Sequence, residues 1–376
     1  MISVSEPFLG KEELKNIIDC VKSGWISSKG DYIKRFEAEF AGFCNLRYGV
    51  STTSGTTALH LALISLGLKK GDEVIIPVFT MVATAFAVLY TGARPVFIDC
   101  ENRTWNIDTS KIGEAITPKT KAIIPVHIYG HPVDMKPVLK LADKHNLFVV
   151  EDAAEAHGAE YNGKRCGSLG DVGCFSFYAN KIITTGEGGM VVTNDKKLAE
   201  KARLLKDFAH SPKKRFLHTQ LAYNYKMTNM QAAIGMAQLR KIDMLLERKR
   251  KIAALYHRYL KDIEGLRLPI EENWAKSVYW MYGVLIKDDF GISRDNLKAQ
   301  LLKEGVETRD FFVPMNRQPA IKKLASADKK RKYPVADYIS RRGLYLPTGL
   351  TLREADILYI CDKLRKIQKR VLRRWL

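Results

Sequence analysis

One lysine closes a run of apolar residues just ahead of a glycine-rich turn. It ends the segment Ser176-Phe177-Tyr178-Ala179-Asn180-Lys181, after the apolar stretch Val172 to Phe177, and Gly186-Glu187-Gly188-Gly189 then leads into Met190 to Val192. A lysine held against an apolar wall loses hydration, which disfavours the ammonium and lowers its pKa. An unprotonated amine can attack a carbonyl and form a Schiff base. By itself the segment favours the plainer reading, a lysine that reaches from a hairpin into solvent.

A second cluster lies upstream. Leu147-Phe148-Val149-Val150 runs directly into Glu151-Asp152-Ala153-Ala154-Glu155. Four apolar residues without alternation predict a strand buried on both faces of a parallel sheet. Doubly wound sheets hold their ligands beyond the carboxyl ends of such strands, where Asp152 would stand. A buried carboxylate needs a cationic partner, and the protonated pyridine nitrogen of pyridoxal 5'-phosphate (PLP) would supply one. Asp152 and Glu155 also fit a capping box at a helix start, so both readings stay open here.

A third element tips the balance. Ser51-Thr52-Thr53-Ser54-Gly55-Thr56-Thr57 precedes Ala58-Leu59-His60-Leu61-Ala62-Leu63, with Leu59, Ala62, Leu63 and Leu66 at helical spacing. Small hydroxyl residues and a glycine at a helix start leave backbone amides free for an anion such as phosphate. Many ordinary helices also begin with Ser or Thr. Together the three elements put a phosphate cradle, a carboxylate and a lysine in order along one chain.

With these motifs the chain resembles the PLP-dependent nucleotide-sugar aminotransferases of the DegT/StrS type, nearly end to end. The likeness is carried by Ser23-Gly24-Trp25-Ile26-Ser27, by Ser54 to Leu59, and by Glu151-Asp152-Ala153-Ala154-Glu155-Ala156-His157-Gly158. The lysine segment with its Gly-Glu-Gly-Gly turn and Tyr223-Asn224-Tyr225-Lys226-Met227-Thr228 add to it. Gly170 to Lys181 and Gln231-Ala232-Ala233-Ile234-Gly235 are most similar to the members that make GDP-perosamine.

The resemblance implies an α/β protein with the type I aminotransferase fold: a large, mostly parallel α/β/α sheet domain and a smaller C-terminal α+β domain. It implies that Lys181 is catalytic and carries the cofactor, that Asp152 pairs with the pyridine nitrogen, and that Glu155 lies near the phenolic oxygen. The Gly55 and Thr56 amides and the Ser176 hydroxyl would hold the phosphate. Asn224 would join them from a neighbouring subunit, which requires a homodimer with shared active sites; pairing of dimers into a tetramer stays open. Met81 stands where many relatives stack an aromatic residue on the cofactor, and a methionine sulfur packs there more loosely. Arg309, Asn316 and Arg317 fall to the sugar pocket by resemblance alone. Relatives often have histidine in place of Asn316, and a surface-loop reading suits Arg317 equally. No metal is implied.

The implied reaction moves the amino group of L-glutamate to C4 of GDP-4-keto-6-deoxy-D-mannose. It gives GDP-perosamine and 2-oxoglutarate for a surface polysaccharide such as O-antigen. UDP- or dTDP-linked 4-keto sugars are the runner-up substrates. A PLP-dependent dehydratase of this fold typically lacks the lysine, and a non-catalytic binding protein of the same fold is the alternative from another class.

Composition sets the outer bounds. A chain of 376 residues predicts two domains, expected at 1–245 and 246–376. No apolar segment approaches a membrane span, and Glu6, Lys11, Glu12 and Glu13 near the start argue against a secretory signal. Six scattered cysteines suit a reducing cytoplasm. The net charge of +20 raises nucleic-acid or membrane-surface binding, but the lysines are spread out and no basic-aromatic recognition motif stands out. The densest cluster is a helix expected from Thr351 to Leu376, with Thr351 and Glu354 as a capping box. Ile357, Ile360, Leu364, Ile367 and Val371 would face the core. Lys363, Arg365, Lys366, Lys369, Arg370, Arg373 and Arg374 would form a solvated face with a weak attraction to anionic lipid as the minor reading.

Strands are expected over Glu73 to Ile76, Pro95 to Ile98, Ala122 to Val126 and Leu147 to Val150, with helices such as Ala83 to Leu89 and Met135 to His145 between them. That alternation predicts a parallel α/β sheet. Thr228 to about Leu260 reads as one long helix. Tyr279 to Ile286 reads as a strand, Arg294 to Glu304 as a helix and Val306 to Val313 as a strand.

Overall fold

The computed structural model describes residues 1–214, 216–324 and 331–372. Its centre is a seven-stranded sheet in the order Tyr48–Thr52, Gly189–Thr193, Val172–Ser176, Phe148–Asp152, Thr120–Ile123, Glu73–Pro77, Arg94–Ile98. Gly189–Thr193 pairs antiparallel with both of its neighbours, and every other pairing is parallel. The α/β expectation is met. Strands such as Glu73–Pro77 and Val172–Ser176 are buried at every position, because helices cover both faces of a parallel sheet.

The helix Gly55–Ser65 is buried nearly all round and packs on the strands Val172–Ser176 and Gly189–Thr193. One large apolar cluster contains Phe36, Phe40, Phe175 and Phe177 beside this sheet. A second cluster lies under a four-stranded antiparallel sheet of Leu266–Arg267, Tyr282–Ile286, Gly343–Leu346 and Arg309–Asp310. The helices Ile242–Leu260 and Glu354–Leu372 cover it. Ile2 pairs with Val306, and the Thr348 N–H donates to Val4 O at 2.8 Å, so the N-terminal residues lie against the second sheet.

Several elements differ from expectation for identifiable reasons. The long run after Thr228 divides into Asn229–Arg240 and Ile242–Leu260. Lys241 leaves helical geometry there, and its amine pairs with Glu13 at 2.5 Å. The strand expected to reach Val126 ends at Ile123, short of Pro125, which has no ladder donor. Tyr279 has φ +47°, so the strand expected from it begins at Tyr282. Only Arg309–Asp310 remains of the strand expected over Val306 to Val313, since Val306 pairs with Ile2 and Phe311 and Phe312 join an aromatic cluster with Phe79 and Tyr129.

The expected Thr351–Glu354 capping box is absent. The Thr351 hydroxyl turns to Glu6, and Asp356 accepts the Arg353 N–H at 2.9 Å at the start of the helix Glu354–Leu372. Ile357, Ile360, Leu364, Ile367 and Val371 are buried as the spacing predicts. Arg373 and Arg374 of the expected basic face lie outside the described residues. Among the described residues no helix is long and apolar enough to cross a membrane.

Candidate active site

Asp152 ends the strand Phe148–Asp152, and Ser176 ends the neighbouring parallel strand Val172–Ser176. Both therefore open at the carboxyl edge of the sheet, where an α/β fold leaves a crevice. Asp152 is buried. Its Oδ2 accepts the Thr84 hydroxyl at 2.7 Å and its Oδ1 accepts the Ala154 N–H at 3.2 Å. Burial raises its pKa, and these two bonds with the Lys181 and His127 charges only partly offset that rise. No helix begins at Asp152, since turns occupy the residues that follow. Glu155 instead accepts the N–H of Tyr129 at 2.7 Å. The helix-cap reading of this pair is excluded.

Glu155 is also buried, and its Oε1 lies 4.0 Å from Lys181 Nζ. Burial pushes its pKa up to about 7, against the pull of the lysine. The Lys181 side chain is only 10% exposed, and its amine sits 3.6 Å above the centre of the Trp280 ring. Burial lowers its pKa, while Glu155 and Asp152 oppose the drop. This is a desolvated lysine, not one extended into solvent as the segment by itself favours.

The helix Gly55–Ser65 begins beside Ser176. Ser54 caps it, accepting the Thr57 N–H at 3.2 Å. Among the described residues no acceptor pairs with the N–H of Gly55 or Thr56. A Cβ at Gly55 would fall 2.7 Å from the Ser176 Cβ, so only glycine lets the helix start close on that serine. Gly189 is needed for a similar reason, since its Cβ would meet the Ser54 carbonyl at 2.2 Å. Two free amides and a hydroxyl thus form a cradle suited to a phosphate.

Met81 is half exposed at the start of the helix Val82–Tyr90, which also carries Thr84. Asn224 is exposed and pairs with Asp207. Arg309 is exposed, lies 3.5 Å from Glu307, and pairs across the sheet with Tyr345. Asn316 has a buried Oδ1 without a hydrogen-bond partner. The guanidinium of Arg317 grips both oxygens of Asp337 at 2.6 and 2.7 Å. None of Asn224, Arg309, Asn316 and Arg317 bonds to Lys181, Asp152, Glu155 or Ser176 within this subunit.

Three residues that sequence reasoning did not single out complete the site: Thr84, the Tyr129 N–H and Trp280. Thr84 lies three residues beyond Met81. Nothing local marks Tyr129 or Trp280.

The donor set fits PLP on its own chemistry. Asp152 is a buried carboxylate with no cation within 4.0 Å among the described residues, which a protonated ring nitrogen would satisfy. Lys181 offers a desolvated amine, and the helix start offers unsatisfied amides.

The sequence from 7 to 365 matches the DegT/DnrJ/EryC1/StrS aminotransferase family. The chain is 42% identical over 365 residues to the GDP-perosamine synthase of Escherichia coli O157:H7, covering 97% of this chain and 98% of that one. It is 45% identical over 358 residues to the GDP-perosamine synthase of Caulobacter vibrioides, covering 95% of each. Among solved structures, S. venezuelae DesV superposes with a TM-score of 0.90 at 37% identity, over 96% of this chain and 95% of that one. The PLP form of the putative sugar aminotransferase Spr1654 from Streptococcus pneumoniae gives a TM-score of 0.92 at 26% identity, over 98% and 99%. The chain belongs to the DegT/DnrJ/EryC1/StrS aminotransferase family, as a PLP-dependent sugar aminotransferase.

Proposed function

We propose that the protein transfers the amino group of L-glutamate to C4 of GDP-4-keto-6-deoxy-D-mannose, giving GDP-perosamine and 2-oxoglutarate. The reaction would serve surface polysaccharide (O-antigen, lipopolysaccharide) precursor synthesis in the cytoplasm. The observation that carries the reading is the Lys181 amine, held dry between Glu155 and the Trp280 ring and within reach of the Asp152 charge. Identities of 41–45% to three proteins named GDP-perosamine synthase support the substrate.

Bound PLP supplies an electrophilic carbon and an electron sink. Lys181 Nζ would hold that carbon and, as a free amine, would move a proton to and from the reacting carbon as base and acid. Burial lowers the pKa of that amine, which favours its neutral, reactive form. Asp152, oriented by Thr84, would hold a proton on the ring nitrogen, and Glu155 would serve the phenolic oxygen. The Gly55 and Thr56 amides and Ser176 Oγ would hold the phosphate, and Met81 would pack on the ring. Asn224 reaches the phosphate from a neighbouring subunit, so the working unit is a homodimer. Arg309 and Asn316 contact the sugar nucleotide, and Arg317 does so only by releasing Asp337. The domain division at 245/246 belongs to the same proposal; in its support, Leu245 packs in the larger cluster and Ile252, on the same helix, in the second.

One relative favours a second substrate class. The chain is 39% identical over 339 residues to a protein named UDP-N-acetyl-3-dehydro-alpha-D-glucosamine 3-aminotransferase. Incubating the enzyme with nitrogen-labelled glutamate and GDP-, UDP- or dTDP-linked 4-keto sugars, beside a UDP-linked 3-keto sugar, separates these readings. The GDP sugar should be aminated at least about tenfold more efficiently, because a site matched to one hydrogen-bonding pattern leaves its groups unpaired with another. Equal efficiencies would overturn the GDP assignment.

A further inference from the structure

Lys249 lies in the middle of the helix Ile242–Leu260 and is 2% exposed. Its amine donates to two backbone carbonyls, Trp280 O at 2.9 Å and Thr348 O at 2.6 Å. Burial alone pushes its pKa down to about 7, with no neighbouring charge acting on it. An ammonium without a counter-ion is costly to bury, and its two carbonyl bonds are what offset that cost here. Charge pairing therefore gives no reason for a lysine at this position.

What it holds does give one. Trp280 meets the Lys181 segment twice: its ring face lies 3.6 Å from the Lys181 amine, and its Nε1–H donates to Asn180 O at 2.8 Å. The preceding residue, Tyr279, sits at φ +47°, a left-handed conformation that a bulky side chain keeps only where its surroundings over-determine it. Ser277 Oγ accepts the Tyr279 N–H at 3.2 Å, and the Tyr279 hydroxyl donates to Glu271 at 2.8 Å. Those bonds hold the segment from one side, and Lys249 holds it from the other.

We propose that Lys249 is a positioning residue for the Lys181 amine, acting through Trp280, whose backbone it anchors and whose ring walls that amine from water. The proposal rests on the reading of Lys181 as the reacting amine. The charged groups that face Lys181 are Glu155 and Asp152, which favour its charged form; the Lys181 charge in turn disfavours protonation of the buried His157. Burial outweighs the two carboxylates. Loss of the Lys249 anchor should let the indole retreat, admit water and return Lys181 toward ordinary lysine behaviour.

The test is amine acylation of the full-length, cofactor-stripped protein, read at Lys181 by mass spectrometry across a pH series. In Lys249→Met the midpoint of Lys181 labelling should rise by about half a pH unit or more, which is roughly threefold less labelling at a fixed pH below the midpoint. A folded Lys249→Met protein with an unchanged midpoint overturns the proposal, because a merely structural lysine would alter melting and leave Lys181 as it was. If that variant does not fold, Trp280→Phe decides instead. It leaves the Lys249 bonds in place but frees Asn180, and it should raise the midpoint likewise; an unchanged midpoint again overturns the proposal. Labelling of the stripped chain does not depend on turnover, whereas failure of the unaltered enzyme to aminate any sugar would sink the functional reading alone.

Discussion

The hydroxyl of Thr84 donates to Oδ2 of Asp152 at 2.7 Å, joining a helix to a strand 68 residues away. The bond orients the carboxylate at the sheet edge without neutralising it. Asp152 therefore remains a buried acid whose charged form is short of a partner, the condition in which a protonated ring nitrogen is held most firmly.

Asp152→Asn should keep the Thr84 contact and bind cofactor within a few-fold of normal. Its neutral amide cannot hold the ring nitrogen protonated, so single-turnover proton transfer should slow by about 100-fold. An unchanged rate in stopped-flow measurements would remove Asp152 from the chemistry.

Lys181→Ala should fold normally, because the lysine is held against its own desolvation cost. Turnover should fall by at least about 1000-fold, since both the attachment point and the proton carrier are lost. The visible absorbance that depends on the lysine-linked cofactor should vanish. Near-normal amination by this variant would disprove the assignment.

Gly55→Ala places a Cβ 2.7 Å from Ser176. Alanine suits a helix start, so the cost falls on the cradle and not on the helix. Equilibrium dialysis should show PLP affinity down about tenfold, and Ser176→Ala should weaken it by about tenfold as well because it removes one hydrogen bond to a charged phosphate. Normal affinity in both variants would locate the phosphate elsewhere.

If Asn224 serves a neighbouring subunit, Asn224→Ala and Lys181→Ala proteins should complement each other when mixed and reassembled. The mixed dimer would carry one site lacking both groups and one intact site, restoring measurable activity. No recovery in a verified mixed dimer argues that each subunit supplies its own Asn224.

His157 is fully buried among Phe40, Phe175 and Phe177, and burial pushes its pKa down to about 3. An unfolded histidine titrates near 6.5. Between those values the unfolded chain binds more protons, so His157 withdraws stability as pH falls below 6.5, by up to about 1.4 kcal/mol per unit. His157→Phe should therefore unfold less readily than the parent near pH 5, and the difference should shrink at pH 7.5. Chemical denaturation at the two pH values measures this; an equal difference at both would mean that His157 does not titrate on unfolding.

The sequence by itself determined the local pieces of this site. An apolar run ending in Asp152, a second one leading to Lys181, and a small-residue helix start at Ser54-Gly55 each combine burial with chemistry within a few adjacent residues, and periodicity exposes such patterns. It also left choices open that only tertiary structure closed. Whether Asp152 and Glu155 cap a helix was decided by the distant Thr84 hydroxyl and Tyr129 N–H, which hold the two acids at the sheet edge. Whether Lys181 snorkels or stays dry was decided by Trp280, 100 residues beyond Asn180, to whose carbonyl its indole bonds. The break at Lys241 followed from Glu13 on another helix, and the engagement of Arg317 from Asp337. Contacts of that kind depend on which surfaces the packed sheet and helices bring together, and no local spacing encodes them.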